Sequence, residues 1–498
     1  MKYFMGIDIG TFSSKGTLVD EQARIVAEHS VSHEMEIPSP GYAENTWWGE
    51  FCTISRTLIQ KSGVDPKQIE GVGCSTIGPC CLPVDRGLRP LRKAILYGID
   101  CRATKEIAYL EDLYGKENIF QRCGTPLTTQ SAAAKILWIK NNEPEIYAKA
   151  DKFVTGSTYL VAKLTGQFVI DNYTAATWVP LYDMEKLDWV DDTSLFCRQD
   201  QLARCMWSHE IAGTVHKQAA RETGLAVGTK VTTGTADASA EAFSVGVLNP
   251  GDMMLMYGSS IFIIHVVEKF TMDDRLWAGP YLFPGTYSVA AGMSCAGTLT
   301  HWFRDNFALD LEAKAKTEGT NVFGEIAKLA DGIPAGSDGL TILPYFSGER
   351  TPINNPNAKG VIFGLNLQHT RRHIYKALLE GVGYGINQHF EIFDALHMGT
   401  KKVMAVGGGI KNMAWLQAVS DISNKCQHVA QVDTGAAYGD ALIAALATGF
   451  YRDSAQVAEQ IKLRYTVEPD PNAYEAYAPF RSRYNRLYLQ TRDMMDEF

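Results

Sequence analysis

The stretch at residues 5–15 constrains the fold of this chain more than any other. Residues 3–9 are almost continuously apolar, as in a buried strand, but they include one acid, Asp8. Glycine, threonine and serine follow at residues 10–14, and residues 17–19 predict a second strand. A carboxylate in a buried strand is costly unless it is paired or binds a metal. Asp8, the turn and Lys15 therefore predict a site for a cation and a polyphosphate.

A single short glycine motif leaves an alternative open, which is an ordinary hairpin around one satisfied acid. The stretch lacks the spacing Gly-x4-Gly-Lys-Ser/Thr, and it also lacks Gly-x-Gly-x-x-Gly before a helix. Because it leads into a strand, it argues against a dinucleotide-binding fold.

The second half of the chain repeats the order of the first half. Residues 253–264 again predict a strand, a Gly-Ser-Ser turn and a strand. Residues 403–409 match residues 69–75, since each set predicts a strand that leads into a small-residue loop. This order indicates an α/β protein with two duplicated domains that face a cleft. The turn-rich residues 246–251 are the expected boundary.

Further small-residue loops precede predicted helices. Asp237 follows such a loop and begins a helix to about residue 245, where an acid can also be a simple dipole or capping residue. Residues 292–298 form another loop, one residue too long for the nucleophile elbow of serine hydrolases. Residues 407–409 are three glycines between a strand and a helix, an arrangement that suits a nucleotide.

Several other segments complete the predicted secondary structure. Thr46 is the expected N-cap of a helix to about residue 62, residues 132–166 have a helical pattern, and residues 435–449 predict a closing helix. A helix from residue 370 carries glycines at 381, 383 and 385, which cost about 1 kcal/mol each relative to alanine and indicate close packing.

Polar and aromatic residues in the first half are candidates for a ligand site. Asp100 and Arg102 follow a predicted strand, where α/β proteins place ligand-binding groups. Trp47 and Trp48 are candidates for the wall of a sugar pocket, with a contact in the hydrophobic core as the alternative.

Length, charge and cysteine content exclude several functional classes. A chain of 498 residues is expected to form at least two domains, and a net charge of −9 argues against general binding to nucleic acids or anionic membranes. No apolar stretch is long enough to cross a bilayer, and Asp8 stands where a signal peptide needs apolar residues. The ten cysteines show no metal-ligand spacing. We therefore expect a cytoplasmic protein with reduced thiols.

The chain resembles the FGGY family of carbohydrate kinases, and within it the xylulokinases. The resemblance extends from about residue 3 to residue 449. Its most specific motifs, in the order of the family, are residues 6–11, 234–237, 344–352, 360–365 together with 377–380, and 407–412.

The resemblance implies a fold and an activity. The fold is two actin-like domains of the ribonuclease H type, with sugar binding assigned to residues 1–246 and nucleotide binding to residues 247–498. The activity is transfer of a phosphoryl group from ATP, with Mg²⁺, to a hydroxyl of a small sugar. The sugar is then the one partner, with no nucleic acid or membrane, and the oligomeric state stays open with a homodimer as one option.

The resemblance also implies roles for individual residues. Asp237 is the general base, and Asp8 holds Mg²⁺ through water. The residues implied on the nucleotide side are Gly10, Thr11, Ser13, Lys15, Gly258, Ser259, Gly297, Thr298, Gly408, Gly409 and Asn412. The residues implied on the sugar side are Trp47, Gly78, Asp100 and Arg102.

One departure from the family pattern affects the substrate. Where xylulokinases carry Gln-Met-His after the serine of this strand, the chain has Ile77, Gly78 and Pro79. The polar groups that would bind the ketose are therefore altered. Alternatives are a kinase for another ketose or a polyol, and, in a different class, an actin-like ATPase or a sugar sensor without kinase activity.

Overall fold

The computed structural model describes residues 1–34 and 44–497, and within these the chain divides into two compact units. The first unit contains Met1–Asn249, Val266–Ser288 and Thr434–Ile461, and the second contains Pro250–His265, Val289–Asp433 and Lys462–Phe498. The expected division between sugar binding before residue 247 and nucleotide binding after it stays a prediction.

The described chain contains both strands and helices. The strands are β1 (Tyr3–Ile9), β2 (Ser13–Asp20), β3 (Ile25–Ser32), β4 (Ile69–Thr76), β5 (Leu82–Val84), β6 (Lys152–Val154), β7 (Val169–Asp171), β8 (Tyr182–Asp183), β9 (Asp188–Trp189), β10 (Arg204–Met206), β11 (Ile211–Thr214), β12 (Lys230–Thr232), β13 (Thr235–Ala236), β14 (Asp252–Tyr257), β15 (Ile261–Val267), β16 (Trp277–Pro280), β17 (Tyr287–Met293), β18 (Thr341–Leu343), β19 (Val361–Phe363), β20 (Lys402–Val406), β21 (Gln427–Ala430) and β22 (Leu463–Val467). The α-helices are α1 (Glu44–Ser62), α2 (Thr104–Tyr114), α3 (Lys116–Cys123), α4 (Ala132–Asn142), α5 (Pro144–Lys149), α6 (Gly156–Thr165), α7 (Asn172–Ala175), α8 (Lys217–Thr223), α9 (Asp237–Ser244), α10 (Gly297–Phe307), α11 (Leu309–Glu318), α12 (Val322–Ala327), α13 (Arg371–Ala395), α14 (Met413–Ser423), α15 (Ala436–Ala447), α16 (Ser454–Gln460) and α17 (Pro471–Met495).

The main sheet of the first unit has the strand order β11-β12-β4-β1-β2-β3, with β13 paired to β4. The central strand β1 is antiparallel to β2 and parallel to β4. This register places Asp8 opposite Lys15 on one side and opposite Ser75 on the other. The first predicted hairpin is confirmed, and its second strand is longer than residues 17–19.

The sheet of the second unit repeats this arrangement. Its strand β14 is antiparallel to β15 and parallel to β20, as β1 is to β2 and β4. The strand β20 continues in parallel to β21, and β22 closes the edge in antiparallel orientation. The duplication expected from the sequence is therefore confirmed at the level of strand topology.

Glycines allow helices to approach strands at backbone distance. A Cβ atom on Gly6 would lie 2.0 Å from the Ala437 carbonyl oxygen, and one on Gly73 would lie 2.2 Å from the Asp440 carbonyl oxygen. The helix α15 therefore rests directly on β1 and β4. In the second unit, a Cβ atom on Gly381 of α13 would lie 2.5 Å from the Ile342 carbonyl oxygen, which confirms the close packing expected there.

Three predictions of secondary structure are wrong. The helix α1 begins at Glu44, so Thr46 lies inside its first turn, because a capping residue is only one of several determinants of a helix start. The strand β6 interrupts the helical pattern of residues 132–166, because it pairs with the distant strand β5. The helix α15 does not close the chain, since α16 and the 25-residue α17 follow.

Within residues 1–34 and 44–497, the structure contains no helix with both the length and the apolar character that a membrane crossing requires.

Candidate functional site

Asp8 occupies the centre of the first sheet and is 9% exposed. Its Oδ1 atom accepts a hydrogen bond from the Ser75 hydroxyl at 3.0 Å. Burial raises the pKa of Asp8 well above its usual range, and the nearby carboxylates of Asp237 and Glu241 raise it further. The site therefore concentrates negative charge, and a bound cation would be favourable there.

Asp440 of α15 is a member of this cluster that the sequence analysis missed. The Ser75 Oγ atom lies 2.6 Å from Asp440 Oδ2, so one hydroxyl bridges two carboxyl groups. Burial raises the pKa of Asp440 well above its usual range, and the charge of Asp8 adds to this effect. An acid in an otherwise alanine-rich helix was the one signal in the sequence that pointed to it.

Asp237 lies in the first turn of α9, as expected. Its Oδ1 atom accepts a hydrogen bond from the Ala238 amide at 2.8 Å. Burial raises the pKa of Asp237 to about 6. Burial also raises the pKa of Glu241, one turn further along the helix, to about 7, and the charge of Asp237 contributes. Asp237 is thus ionised at neutral pH and is more basic than an ordinary aspartate.

Side chains on both sides hold the turn between β1 and β2. The Thr11 hydroxyl lies 3.2 Å from the Tyr97 hydroxyl. The His33 Nε2 atom lies 3.2 Å from both the Gly10 and Thr11 carbonyl oxygens, and its Nδ1 atom lies 3.0 Å from Glu50 Oε2. His33 and Glu50, which the sequence analysis did not single out, therefore help to fix the predicted phosphate turn.

The positive charge of Lys15 acts on this cluster from the strand β2. Ser13 begins that strand, and Lys15 lowers the pKa values of Asp8 and Glu241 against the effect of burial. Among the described residues, no three His, Cys, Asp or Glu side chains are placed to hold a metal ion together. Mg²⁺ commonly binds through one or two carboxylates, waters and substrate phosphates. Asp8 fits that mode of binding.

Asp100 and Arg102, predicted on the sugar side, form a two-pronged ion pair. The Arg102 Nε atom lies 2.8 Å from Asp100 Oδ1, and a terminal guanidinium nitrogen lies 2.7 Å from Asp100 Oδ2. The guanidinium also lies 4.9 Å from the centre of the Trp138 ring. The two charges are therefore largely neutralised by each other.

The other two residues predicted on the sugar side differ in position. A Cβ atom on Gly78 would lie 3.4 Å from Ala236 Cβ, so the loop after β4 runs beside the start of α9 and Asp237. Trp47 is 1% exposed, and its ring centre lies 6.2 Å from that of Tyr159. This is the core contact that the sequence left open as the alternative, and the role of Trp47 at a sugar stays a prediction.

The second unit contains a cavity of about 640 Å³, a size that suits a small-molecule ligand. Of the residues predicted on the nucleotide side, its walls include Gly258, Ser259, Gly297, Gly408, Gly409 and Asn412. The aromatic part of the wall was not predicted from the sequence, and it comprises Tyr257, His301, Phe323, Tyr375 and Trp415.

Backbone hydrogen bonds join two loops of this wall. The Gly297 amide donates to the Gly258 carbonyl oxygen at 3.0 Å, and the Ala296 and Thr298 amides donate to the Ser259 carbonyl oxygen at 2.9 and 3.2 Å. Thr298 thus contacts the predicted turn. Elsewhere in the lining of the cavity, Asn412 caps α14, because its Oδ1 atom accepts from the Trp415 amide at 3.2 Å.

Comparison with known proteins identifies the family. The family model for the N-terminal domain of the FGGY family of carbohydrate kinases matches residues 3–244. The family model for the C-terminal domain matches residues 253–448. The chain is 29% identical to a xylulose kinase of Escherichia coli, over 99% of this chain and 100% of that protein. It is 26% identical to a gluconokinase of Bacillus subtilis, over 99% of this chain and 98% of that protein.

A solved structure agrees with this result. The crystal structure of xylulose kinase from Rhodospirillum rubrum superimposes with a TM-score of 0.92 at 27% identity, over 99% of this chain and 100% of that chain. The expected α/β fold with two actin-like, ribonuclease H-like domains is therefore confirmed. The chain belongs to the FGGY family of carbohydrate kinases.

Proposed function

We propose that this chain phosphorylates a hydroxyl group of a ketopentose such as xylulose, with Asp237 as the general base. As a member of its family it is a sugar kinase that uses ATP with Mg²⁺. The proposal adds the substrate and the roles of individual residues. The observation that carries it is the Asp237 carboxylate at the start of α9, beside the carboxylates of Asp8 and Glu241, with a pKa of about 6.

The proton transfer needs a base of this kind. A sugar hydroxyl is a poor nucleophile near neutral pH, so a carboxylate within hydrogen-bond distance has to accept its proton as the phosphoryl group arrives. At neutral pH most Asp237 side chains are ionised, and their raised pKa makes them better proton acceptors than an ordinary aspartate.

The remaining predicted residues would bind and orient the second substrate. Mg·ATP supplies the phosphoryl group when bound, and the metal neutralises its developing charge. Asp8 would hold the metal through water, and Gly10, Thr11, Ser13 and Lys15 would lie near the transferred group. In the second unit, the residues that would line the phosphates are Gly258, Ser259, Gly297 and Thr298, and those that would border the adenosine are Gly408, Gly409 and Asn412.

The residues proposed on the sugar side support an uncharged substrate. A sugar acid such as gluconate would have to compete with Asp100 for the Arg102 guanidinium, which already makes a two-pronged ion pair. This arrangement favours an uncharged sugar. The likeness to a gluconokinase and the sequence Ile77-Gly78-Pro79 nevertheless make a sugar acid, another ketose or a polyol the second candidates.

A substrate panel tests the proposal. ADP release with ATP and Mg²⁺ is measured against ketopentoses, ketohexoses, tetritols, pentitols, glycerol and gluconate, with a reaction lacking sugar as the control. We expect the highest kcat/KM for a ketopentose. A higher value for gluconate would contradict the ketopentose assignment, and ADP release that no sugar stimulates would contradict the kinase assignment.

We further propose a cytoplasmic enzyme that binds no nucleic acid, which the net charge of −9 supports. The oligomeric state stays open with a homodimer as one option, and sedimentation equilibrium distinguishes a homodimer from a monomer.

A further inference from the structure

The family motif at residues 344–352 has no role in the proposed chemistry. Residues 344–352 carry the sequence Pro-Tyr-Phe-Ser-Gly-Glu-Arg-Thr-Pro, and none of them is among the residues that line the cavity of the second unit. Three consecutive side chains of this motif, Glu349, Arg350 and Thr351, instead contact the segments that lead into and out of the cavity loops. We call these three residues the 349–351 brace.

Arg350 joins the two loops through a single nitrogen. One of its terminal guanidinium nitrogens donates to the Ile261 carbonyl oxygen at 3.0 Å and to the Met293 carbonyl oxygen at 2.8 Å. Ile261 is the first residue of β15, directly after the turn at residues 258–260. Met293 is the last residue of β17, directly before the loop at residues 294–296. Arg350 therefore fixes one end of each loop relative to the other.

Glu349 and Thr351 hold the second loop from the same side. The Glu349 Oε1 atom accepts a hydrogen bond from the Ser294 amide at 2.6 Å, and Glu349 is 4% exposed. The Thr351 hydroxyl accepts from the Gly292 amide at 2.7 Å and lies 2.9 Å from His389 Nε2. Three successive side chains thus fix residues 292 and 293 at the end of β17 and residue 294 at the start of the loop.

The fixed loops are the ones that carry the proposed phosphate contacts. The amides of residues 296–298 donate to the carbonyl oxygens of Gly258 and Ser259, so a displacement of either loop moves the other. Backbone amides bind phosphate oxygens well only when they are held in place before the ligand arrives. We propose that the 349–351 brace positions these two loops for the nucleotide phosphates without touching the nucleotide. This inference rests on the proposed nucleotide site.

If Arg350 only stabilised the fold, its replacement would not weaken nucleotide binding more than the replacement of a comparable arginine elsewhere. Arg481 is such a comparable arginine. Arg481 also uses one terminal nitrogen to reach two backbone carbonyl oxygens, those of Ile422 at 3.1 Å and Tyr474 at 3.0 Å. None of these three residues is among those that line the cavity. A lysine at either position keeps the charge, but its flexible side chain does not hold a donor nitrogen at the place where the planar guanidinium holds it.

The test compares ADP binding by isothermal titration calorimetry in the wild-type protein, Arg350→Lys and Arg481→Lys. We expect a Kd about tenfold or more higher for Arg350→Lys, as for the loss of a hydrogen bond from a charged donor. The Kd of Arg481→Lys and the KM of both variants for the sugar should stay within about twofold of the wild type. Hydrogen exchange at the amides of residues 296–298 should be faster in Arg350→Lys alone.

A wild-type Kd for ADP in Arg350→Lys, or equal weakening in both variants, would overturn the inference. No ADP binding by the folded wild-type protein would instead overturn the proposed nucleotide site. If Arg350→Lys does not fold, Thr351→Val replaces it with the same expected results for ADP and the sugar, because valine keeps the shape of threonine and removes the hydroxyl group that contacts the Gly292 amide and His389 Nε2.

Discussion

The raised pKa of Asp237 predicts how the rate of the reaction depends on pH. Its pKa is raised to about 6 by burial, and a general base acts only when it is unprotonated. The kcat/KM for the sugar should therefore rise with pH through about 6 and be lost at lower pH. A profile measured with saturating Mg·ATP checks this prediction, and a value that stayed constant from pH 5 to 7 would contradict it.

The two short contacts of the Ser75 hydroxyl predict which of the two neighbouring carboxyl groups is protonated. A hydroxyl carries one hydrogen, yet Ser75 Oγ lies 3.0 Å from Asp8 Oδ1 and 2.6 Å from Asp440 Oδ2. One carboxyl group must therefore supply the second hydrogen. Asp440, 1% exposed against 9% for Asp8, is the more enclosed of the two. We therefore expect Asp440 to be protonated and to donate to Ser75, which donates to Asp8.

Two variants distinguish a protonated Asp440, which donates a hydrogen bond to Ser75, from an ionised Asp440, which can only accept one. An asparagine amide also donates a hydrogen, so Asp440→Asn should keep kcat and the activation constant for Mg²⁺ within ~threefold of wild type. Asp440→Leu should lower activity about tenfold or more and weaken activation by Mg²⁺, because Ser75, which donates to Asp8, is no longer held by Asp440. Equal losses in both variants would contradict the prediction.

The individual site residues differ in how far the sequence revealed them. Asp8 and Asp237 were found because an acid in an apolar strand or after a small-residue turn is locally unusual. Asp440 and His33 were missed because their importance comes from contacts with residues distant in sequence. Asp440 reaches Ser75 only because α15 packs on the first sheet, and no local pattern encodes that contact.

At the scale of elements, the packing of α15 on the first sheet gives a prediction of stability. A Cβ atom on Gly73 would lie 2.2 Å from a backbone oxygen of α15, so Gly73→Ala should lower the free energy of unfolding by about 1–3 kcal/mol. The control is Gly49→Ala in α1, where nothing lies within 4 Å of the added atom. Alanine there should stabilise the helix by roughly 0.5–1 kcal/mol.

Urea denaturation of the two variants measures both effects. An unchanged or increased stability of Gly73→Ala would show that α15 is not held against the strand at this point. Activity should fall in the same variant, because the helix carries Asp440 to Ser75.

The elements that the sequence predicted correctly are those with strong local patterns. Both hairpins combine apolar strands with glycine and serine turns, and their parallel partner strands share the same signature. The strand β6 was missed because it is three residues long and depends on pairing with β5. The helix α17 was missed because only four of its 25 residues are buried, at Tyr477, Tyr484, Leu487 and Met495.

At the scale of the whole molecule, the cysteines support the expected reduced state. All ten are free, and burial raises the pKa of both Cys80 and Cys81 to about 12. Since the thiolate is the reactive form, we expect slow reaction with a thiol reagent in the native protein, apart from the exposed Cys101. Titration in denaturant should recover ten thiols, and recovery of eight or fewer would indicate a disulfide.

We propose that this sugar kinase uses Asp237 to deprotonate the accepting hydroxyl. The most direct test is steady-state turnover of Asp237→Asn together with its ADP affinity. General-base assistance typically contributes about 10²–10⁴-fold, so turnover should fall by that factor. The Kd for ADP should be unchanged, because the cavity of the second unit contains no part of Asp237. A folded Asp237→Asn variant that kept more than about a tenth of wild-type turnover would contradict the account.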